Sequence, residues 1–312
     1  MARTRSHRPD AILAFRAYPE GYAAVLCGRR LRLPVIISVR GSDLKMAPSV
    51  GPVRAKTEFA LRQASAVLAV SQDLCNMALK LGASADRVHV VRNGIHRQVF
   101  RPLGKTASRT TLQFPSDARM VLFVGNLLPV KGVTRLVDAL AILHRRGAGG
   151  LHLVLIGDGN LEPQLRRQAT RAKLDEVVHF LGQRSPEEVA RWMSAADLLC
   201  LPSESEGLPN VILEALSCGC PVVGTTVGGI PELVVPGCGL LVPPGDTAAL
   251  AQAIQEGLDT SWDSSAIARQ PIDSWARVAA TTLEHCERAE AEYQAALGDK
   301  VRTRWRRGVY SR

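Results

Sequence analysis

The sequence predicts an α/β protein made of two Rossmann-like domains with parallel sheets, and three features carry that expectation. Short runs rich in Val, Ile and Leu recur at 11–15, 34–39, 66–70, 88–91, 120–124, 151–156, 177–181, 198–201 and 221–224. They are continuously apolar rather than alternating, which marks strands buried on both faces, as in parallel sheets. Each run is followed by a turn and a helical pattern, the order of doubly wound units. A stretch without periodicity, from Arg101-Pro102-Leu103-Gly104 into a Thr/Ser-rich segment, separates the runs into two groups.

The elements divide accordingly. Residues 1–103 are expected to form a partial first domain, 104–116 a linker, and 117–271 a second, complete domain. A helix over 272–298 is expected to pack back towards the first domain, with 299–312 as a basic tail. The 312 residues suffice for two cores. Hydrophobic residues make up 46% and aromatics only 4%, which disfavours a surface of stacked bases and so a nucleic-acid partner.

The net charge of +10 is concentrated partly at the ends. Arg3, Arg5 and Arg8 open the chain, and Lys300, Arg302, Arg304, Arg306, Arg307 and Arg312 close it. The ordinary reading of such a tail is a solvated, disordered segment; the alternative is contact with an anionic membrane face. No run of 18 or more apolar residues suggests a transmembrane helix, and no apolar signal core precedes Pro9. The seven cysteines, an odd number, fit a reducing compartment, and the expected location is cytoplasmic, peripheral at the inner membrane face. Cys218 and Cys220 have C-x-C spacing without neighbouring histidines, so they read as small buried residues rather than metal ligands.

The strongest local signal runs from Pro202 to Ala215. A strand ends at Leu201, small residues turn the chain, and a helix begins near Pro209, a residue tolerated at the first helical position. A helix N-terminus at the carboxyl edge of a parallel sheet is suited to a phosphate. Glu206 precedes this helix, and Glu214 lies inside it among Val211, Ile212, Leu213, Ala215 and Leu216. An acid on an apolar helix face needs a polar partner. Ribose hydroxyls would serve, and so would a nearby arginine.

Taken together, these residues resemble the retaining glycosyltransferases of the family-4 (group 1) type, and bacterial polysaccharide and teichuronic-acid-type members in particular. Glu206 and Glu214 fall at the spacing of the family's E-x7-E motif. The match continues in order through 151–159, Phe180-Leu181-Gly182, Gly219-Cys220-Pro221, Gly228-Gly229-Ile230-Pro231-Glu232 and 239–246. The resemblance implies the GT-B architecture of two facing Rossmann-like domains, the first incomplete here. It also implies a nucleoside-diphosphate sugar as donor substrate, no cofactor and no metal. The acceptor would be a glycan or lipid-linked hydroxyl.

By the same resemblance, Glu206 contacts donor sugar hydroxyls, the backbone of Gly207, Leu208 and Asn210 meets sugar and phosphates, and Glu214 binds the ribose. Gln183 and Arg184 lie beside the base. Gly125 and Asn126 belong to the diphosphate loop, where the family usually has Arg at the position of Asn126, and Lys131 supplies charge to the departing diphosphate. Val39-Arg40-Gly41-Ser42-Asp43 matches the family's H-G-x-D turn, with Arg40 in place of His. Arginine is no base at neutral pH, but it can stabilise phosphate charge; the alternative for Arg40 is a structural surface residue. Tyr18-Pro19-Glu20-Gly21 resembles a turn of the polysaccharide-assembly members, and Asn93-Gly94 reads as a structural turn.

Other motifs are absent. No G-x-x-x-x-G-K-[ST] occurs, and Glu162 occupies the third glycine position of a dinucleotide fingerprint after Gly157-Asp158-Gly159. An epimerase on the same architecture is disfavoured by the E-x7-E set. Relative to the family the chain reads as shortened at its N-terminus. The second reading is therefore a catalytically impaired nucleotide-sugar-binding fragment.

Overall fold

The computed structural model describes residues 9–45 and 51–309, with side chains described to residue 297. Arg3, Arg5, Arg8 and the side chains of the basic tail lie outside the described residues. Contacts divide the chain into two units, with boundaries after Asn93 and after Trp275.

The first unit holds β1 (Ile12–Phe15), α1 (Tyr22–Leu31), β2 (Val35–Val39), α2 (Ser42–Lys45), α3 (Gly51–Gln63), β3 (Ala66–Ala69), α4 (Gln72–Lys80) and β4 (Val88–Val90). Its four strands are parallel in the order β1-β2-β3-β4. β2 and β3 are buried throughout, as expected of their apolar residues, with Ser38 the one polar side chain in β2. β1 pairs only with β2 among the described strands, and it leaves Leu13 37% and Phe15 51% exposed.

The second unit runs through α5 (Lys105–Leu112), β5 (Arg119–Val124), α6 (Val133–Arg145), β6 (Leu151–Ile156), α7 (Glu162–Arg171), β7 (Val178–Gly182), α8 (Pro186–Ala195) and β8 (Leu198–Leu201). It continues with α9 (Asn210–Ser217), β9 (Val222–Thr225), α10 (Ile230–Leu233), β10 (Gly239–Val242), α11 (Thr247–Asp259) and α12 (Ser264–Ala268). Its parallel sheet has the order β10-β9-β8-β5-β6-β7. From β5 the chain steps outward through β6 and β7, returns to β8 on the other side of β5, and steps outward again. That is the 3-2-1-4-5-6 order of a doubly wound sheet, with the switch point between β5 and β8.

Two stretches depart from the sequence expectation. Residues 104–116 form no bare linker: α5 occupies most of them and packs within the second unit. Its anchor is Arg109, 5% exposed, which donates to the carbonyls of Ala195 and Ser116 and pairs with Asp197 at 2.9 Å. A single buried arginine leaves no periodic signature, so the helix was hidden. The closing helix α13 (Trp275–Val309) starts three residues later than expected and stays helical through most of the region expected to be a disordered tail. Arg and Lys are good helix formers and no proline interrupts them there.

α13 groups with the first unit from Ala276 onward. Ala289 packs in one cluster with Ile36, Ala66 and Leu68, and the His285 ring stacks on His89 of β4 with centroids 4.4 Å apart. Cys218 and Cys220 are buried, and burial pushes the Cys218 thiol up to about 12. Among the described residues no helix is long and apolar enough to cross a membrane.

Candidate donor and acceptor sites

In the second unit the residues singled out by sequence emerge from the carboxyl ends of strands, where open α/β sheets bind ligands. Gly125, Asn126 and Lys131 follow β5, Gln183 and Arg184 follow β7, and Glu206 through Glu214 follow β8. The loops after β5 and β8 flank the switch point.

The loops are fixed by backbone contacts that tolerate no side chain. Gly132 has φ 67°, and a Cβ there would stand 2.1 Å from the Pro202 carbonyl. This close approach lets the Glu204 amide donate to the Val130 carbonyl at 2.8 Å, tying the β8 loop to the β5 loop. Gly159 meets the Leu127 backbone equally closely, and the Leu127 amide donates to the Asp158 carbonyl at 2.8 Å. On the other side, the Gly229 amide donates to the Gly207 carbonyl at 2.8 Å. The segment from Gly207 to Leu208 is thus held from both flanks before α9 begins.

Across this junction the Lys131 Nζ donates to Glu206 Oε1 at 2.7 Å. The Glu206 side chain is only 9% exposed and also accepts from Ser203 Oγ at 2.7 Å. Ser203 is in turn fixed by Thr225 Oγ1, which donates to its carbonyl at 2.6 Å. The two residues that the family resemblance assigns to sugar and diphosphate therefore form one largely buried ion pair, with a defined carboxylate orientation. Ser203 and Thr225 went unnoticed in the sequence, since a serine in a small-residue loop carries no signal of its own.

α9 begins one residue later than expected. Pro209 is the cap, with ψ 114°, and Asn210 is the first helical residue. About one turn on, Glu214 is partly buried and forms no hydrogen bond or ion pair with any described residue. Burial alone pushes its carboxyl up to about 7. The arginine partner left open by sequence is not there. The side-chain amide of exposed Asn126 likewise bonds no described residue. Arg184 donates to the Gln183 carbonyl at 2.8 Å and lies 3.6 Å from Glu188, which caps α8 through Ser185. Gln183 and Arg184 are two strands away from β5, at the edge of the sheet.

Arg40 belongs to the first unit, directly after β2. The Asp43 carboxylate accepts from three backbone amides, those of Ala17, Arg40 and Gly41, at 2.9, 3.1 and 2.8 Å. The aspartate of the Arg-Gly-Ser-Asp turn thus welds the ends of β1 and β2 together. The Arg40 side chain donates from Nη1 to Asn93 Oδ1 at 2.7 Å and lies over the Phe15 ring at 5.0 Å. Burial lowers its pKa, with the Asp43 charge opposing. Asn93, read as part of a turn, is also the residue that orients Arg40.

Comparison with known proteins identifies the family and the fold. The family model described as Glycosyltransferase Family 4 matches residues 1–99, and the one described as Glycosyl transferases group 1 matches 118–260. The chain is 33% identical over 255 residues to TuaC of Bacillus subtilis (strain 168), named for teichuronic acid biosynthesis; the match covers 81% of this chain and 62% of TuaC. It is 34% identical over 223 residues to the D-inositol 3-phosphate glycosyltransferase of Pseudarthrobacter chlorophenolicus, covering 69% of this chain and 53% of that one. The chain thus spans between half and two thirds of the length of the curated relatives it matches. Among solved structures, Anabaena HepE in complex with UDP superposes with a TM-score of 0.73 at 26% identity, covering 88% of this chain and 78% of that one. Two parallel Rossmann-like sheets, two matching family models and these relatives converge: the chain belongs to the family 4, group 1 glycosyltransferases and has the GT-B fold.

Proposed function

We propose that this chain transfers a sugar from a nucleoside diphosphate to an acceptor hydroxyl, with retention at the anomeric carbon, in the synthesis of a cell-surface polysaccharide or glycoconjugate. The observation that carries the reading is Glu214, a partly buried carboxylate that pairs with no described residue, about one turn inside the helix at the switch point. Ribose hydroxyls would donate to it and return it to its ionised form. Lys131 and the start of α9 would meet the diphosphate, and Glu206, oriented by Lys131 and Ser203, would accept from sugar hydroxyls. Gly207, Leu208 and Asn210 would contribute backbone contacts. Gln183 and Arg184 would stand beside the base.

The UDP and UDP-glucose complexes of HepE favour a uridine nucleotide, and the name of TuaC favours a surface polymer. In this reading catalysis is positioning and electrostatics: the departing phosphate assists the acceptor, and Lys131 offsets the charge that develops on it. The diphosphate is handled by Lys131 and backbone amides without a metal. A cytoplasmic enzyme at an anionic membrane face would suit a lipid-linked acceptor.

Calorimetry with UDP, followed by release of UDP from UDP-sugars with and without acceptor glycans, tests the proposal. Binding in roughly the micromolar range that weakens about tenfold to a hundredfold in Glu214→Ala is expected. A folded protein that binds no nucleoside diphosphate would overturn it.

A further inference from the structure

The carboxyl edge of the first sheet carries an arginine directly after β1 (Arg16), one directly after β2 (Arg40) and one two residues after β4 (Arg92). β1 and β2 are neighbours in register, and the Arg16 amide donates to the Ser38 carbonyl at 2.7 Å, so Arg16 and Arg40 leave adjacent strand ends. Two acids stand beside them. Asp43 is occupied by the three backbone amides of the turn and forms no ion pair with Arg40. Glu20 pairs with Arg16 at 2.6 Å, but both side chains are about half exposed, so the pair is weak and readily exchanged.

Arg40 is the informative residue. It is partly buried, pinned on one side by Asn93 Oδ1 and on another by the face of Phe15, and its remaining guanidinium N–H groups bond to no described residue. A guanidinium taken partly out of water, held rigidly and left without a carboxylate is poised for a planar anion. Phe15, 51% exposed at the same strand end, offers an apolar surface beside it. The histidine usual in this family at the position of Arg40 could not play this part at neutral pH, being mostly uncharged there.

We propose that this strand edge binds the acceptor through an anionic group, a phosphate or a carboxylate, held by the Arg40 fork with Arg16 as its second charge and the body of the acceptor against Phe15. The inference rests on the transferase reading above and narrows its acceptor to anionic molecules.

The test uses the full chain saturated with UDP, so that the diphosphate site is filled. Glycerol 3-phosphate, glycerate and uncharged glycerol are titrated by saturation-transfer NMR, with UDP affinity measured in parallel. At least one of the two anions is expected to bind and glycerol is not; the better anion identifies the group. Arg40→Gln should weaken that binding about tenfold to a hundredfold and Arg16→Gln by a few-fold, whereas Arg166→Gln, at an exposed arginine of α7 in the second unit, should leave it unchanged. Arg40→Lys, which keeps the charge and loses the fork, should fall between; with Arg16→Gln it carries the test if Arg40→Gln fails to fold. Equal binding of glycerol, or anion binding that survives both the Arg40 and the Arg16 change or disappears with Arg166→Gln, overturns the proposal. Failure of the wild-type chain to bind UDP sinks the donor reading instead, and the arginine dependence is read separately.

Discussion

The two units present opposite kinds of unmet charge at equivalent strand edges. In the second unit the cation is satisfied, since Lys131 is locked to Glu206, while an acid, Glu214, pairs with no described residue. In the first unit the acid is satisfied, since Asp43 is consumed by backbone amides, while a cation, Arg40, keeps donors to spare. A carboxylate without a partner selects for hydroxyl donors; a guanidinium without one selects for an anion. One fold used twice thus provides one edge suited to a ribose and one suited to a charged group.

The sharpest way to break that comparison is at Lys131. Lys131→Ala removes the charge meant for the diphosphate and takes from the largely buried Glu206 its ion-pair partner on the β5 loop. UDP affinity is expected to fall by about 2–3 kcal/mol, whereas uridine affinity changes by less than about 0.5 kcal/mol. Calorimetry with both ligands checks this, and equal losses for the two would mean that the loop, not the charge, was lost.

Glu214 comes next. Glu214→Ala should cost about 1–3 kcal/mol of UDP affinity. The raised carboxyl, at about 7, adds a pH signature. Ribose donors favour the ionised form, so affinity for a UDP-sugar should rise as pH climbs through about 7, with proton release on binding below it. The unliganded protein should behave in the reverse sense. A folded carboxyl held above its unfolded value stabilises fully below about pH 4.5, and that stabilisation is lost as pH rises through about 7. Glu214→Gln should therefore raise the melting temperature at pH 8 by up to a few degrees, equivalent to at most about 3 kcal/mol, while weakening the nucleotide. A mutant that melts as the wild type does and binds UDP equally well would remove Glu214 from the site.

Asn126→Arg sharpens the comparison from the other side by adding a second cation to the β5 loop. A gain of about 1 kcal/mol in UDP affinity is expected, and none would mean that the loop directs this side chain away from the phosphates.

The smallest effect concerns a feature the units share. Each contains a stacked histidine pair, His89 with His285 and His152 with His179, and burial lowers the pKa of all four. Arg288 depresses the first pair further. Depressed histidines favour the folded state above about pH 6.5 and lose that contribution as pH falls below it. Thermal melts from pH 7.5 to 5.5 should show a decline of at most about 1 kcal/mol per pair, shallower in His285→Phe.

Much of this was legible in the sequence, for a physical reason. Strands buried on both faces must be predominantly apolar, so β2, β3, β5, β6 and β8 announce themselves. Glu206 and Glu214 are visible because an acid beside an apolar helix face is conspicuous. What stayed hidden depends on pairing at long range. Nothing near Lys131 in the chain indicates that its ammonium will meet Glu206, or that Asn93 will take the Arg40 guanidinium. Arg109 looked like one residue of an aperiodic linker because its partners, Ala195 and Asp197, lie 86 and 88 residues further along the same unit.

The return of α13 to the first unit has a consequence during synthesis. The second unit is a single continuous stretch of chain and can condense as soon as Trp275 has left the ribosome. The first unit is made earlier but closed later, because Ala289 completes the cluster containing Ile36, Ala66 and Leu68. At roughly 5–20 residues per second, Leu68 waits on the order of 10–45 s for that helix. Over that interval the earlier-born sheet is exposed to chaperones and proteases, so order of emergence and order of maturation are reversed.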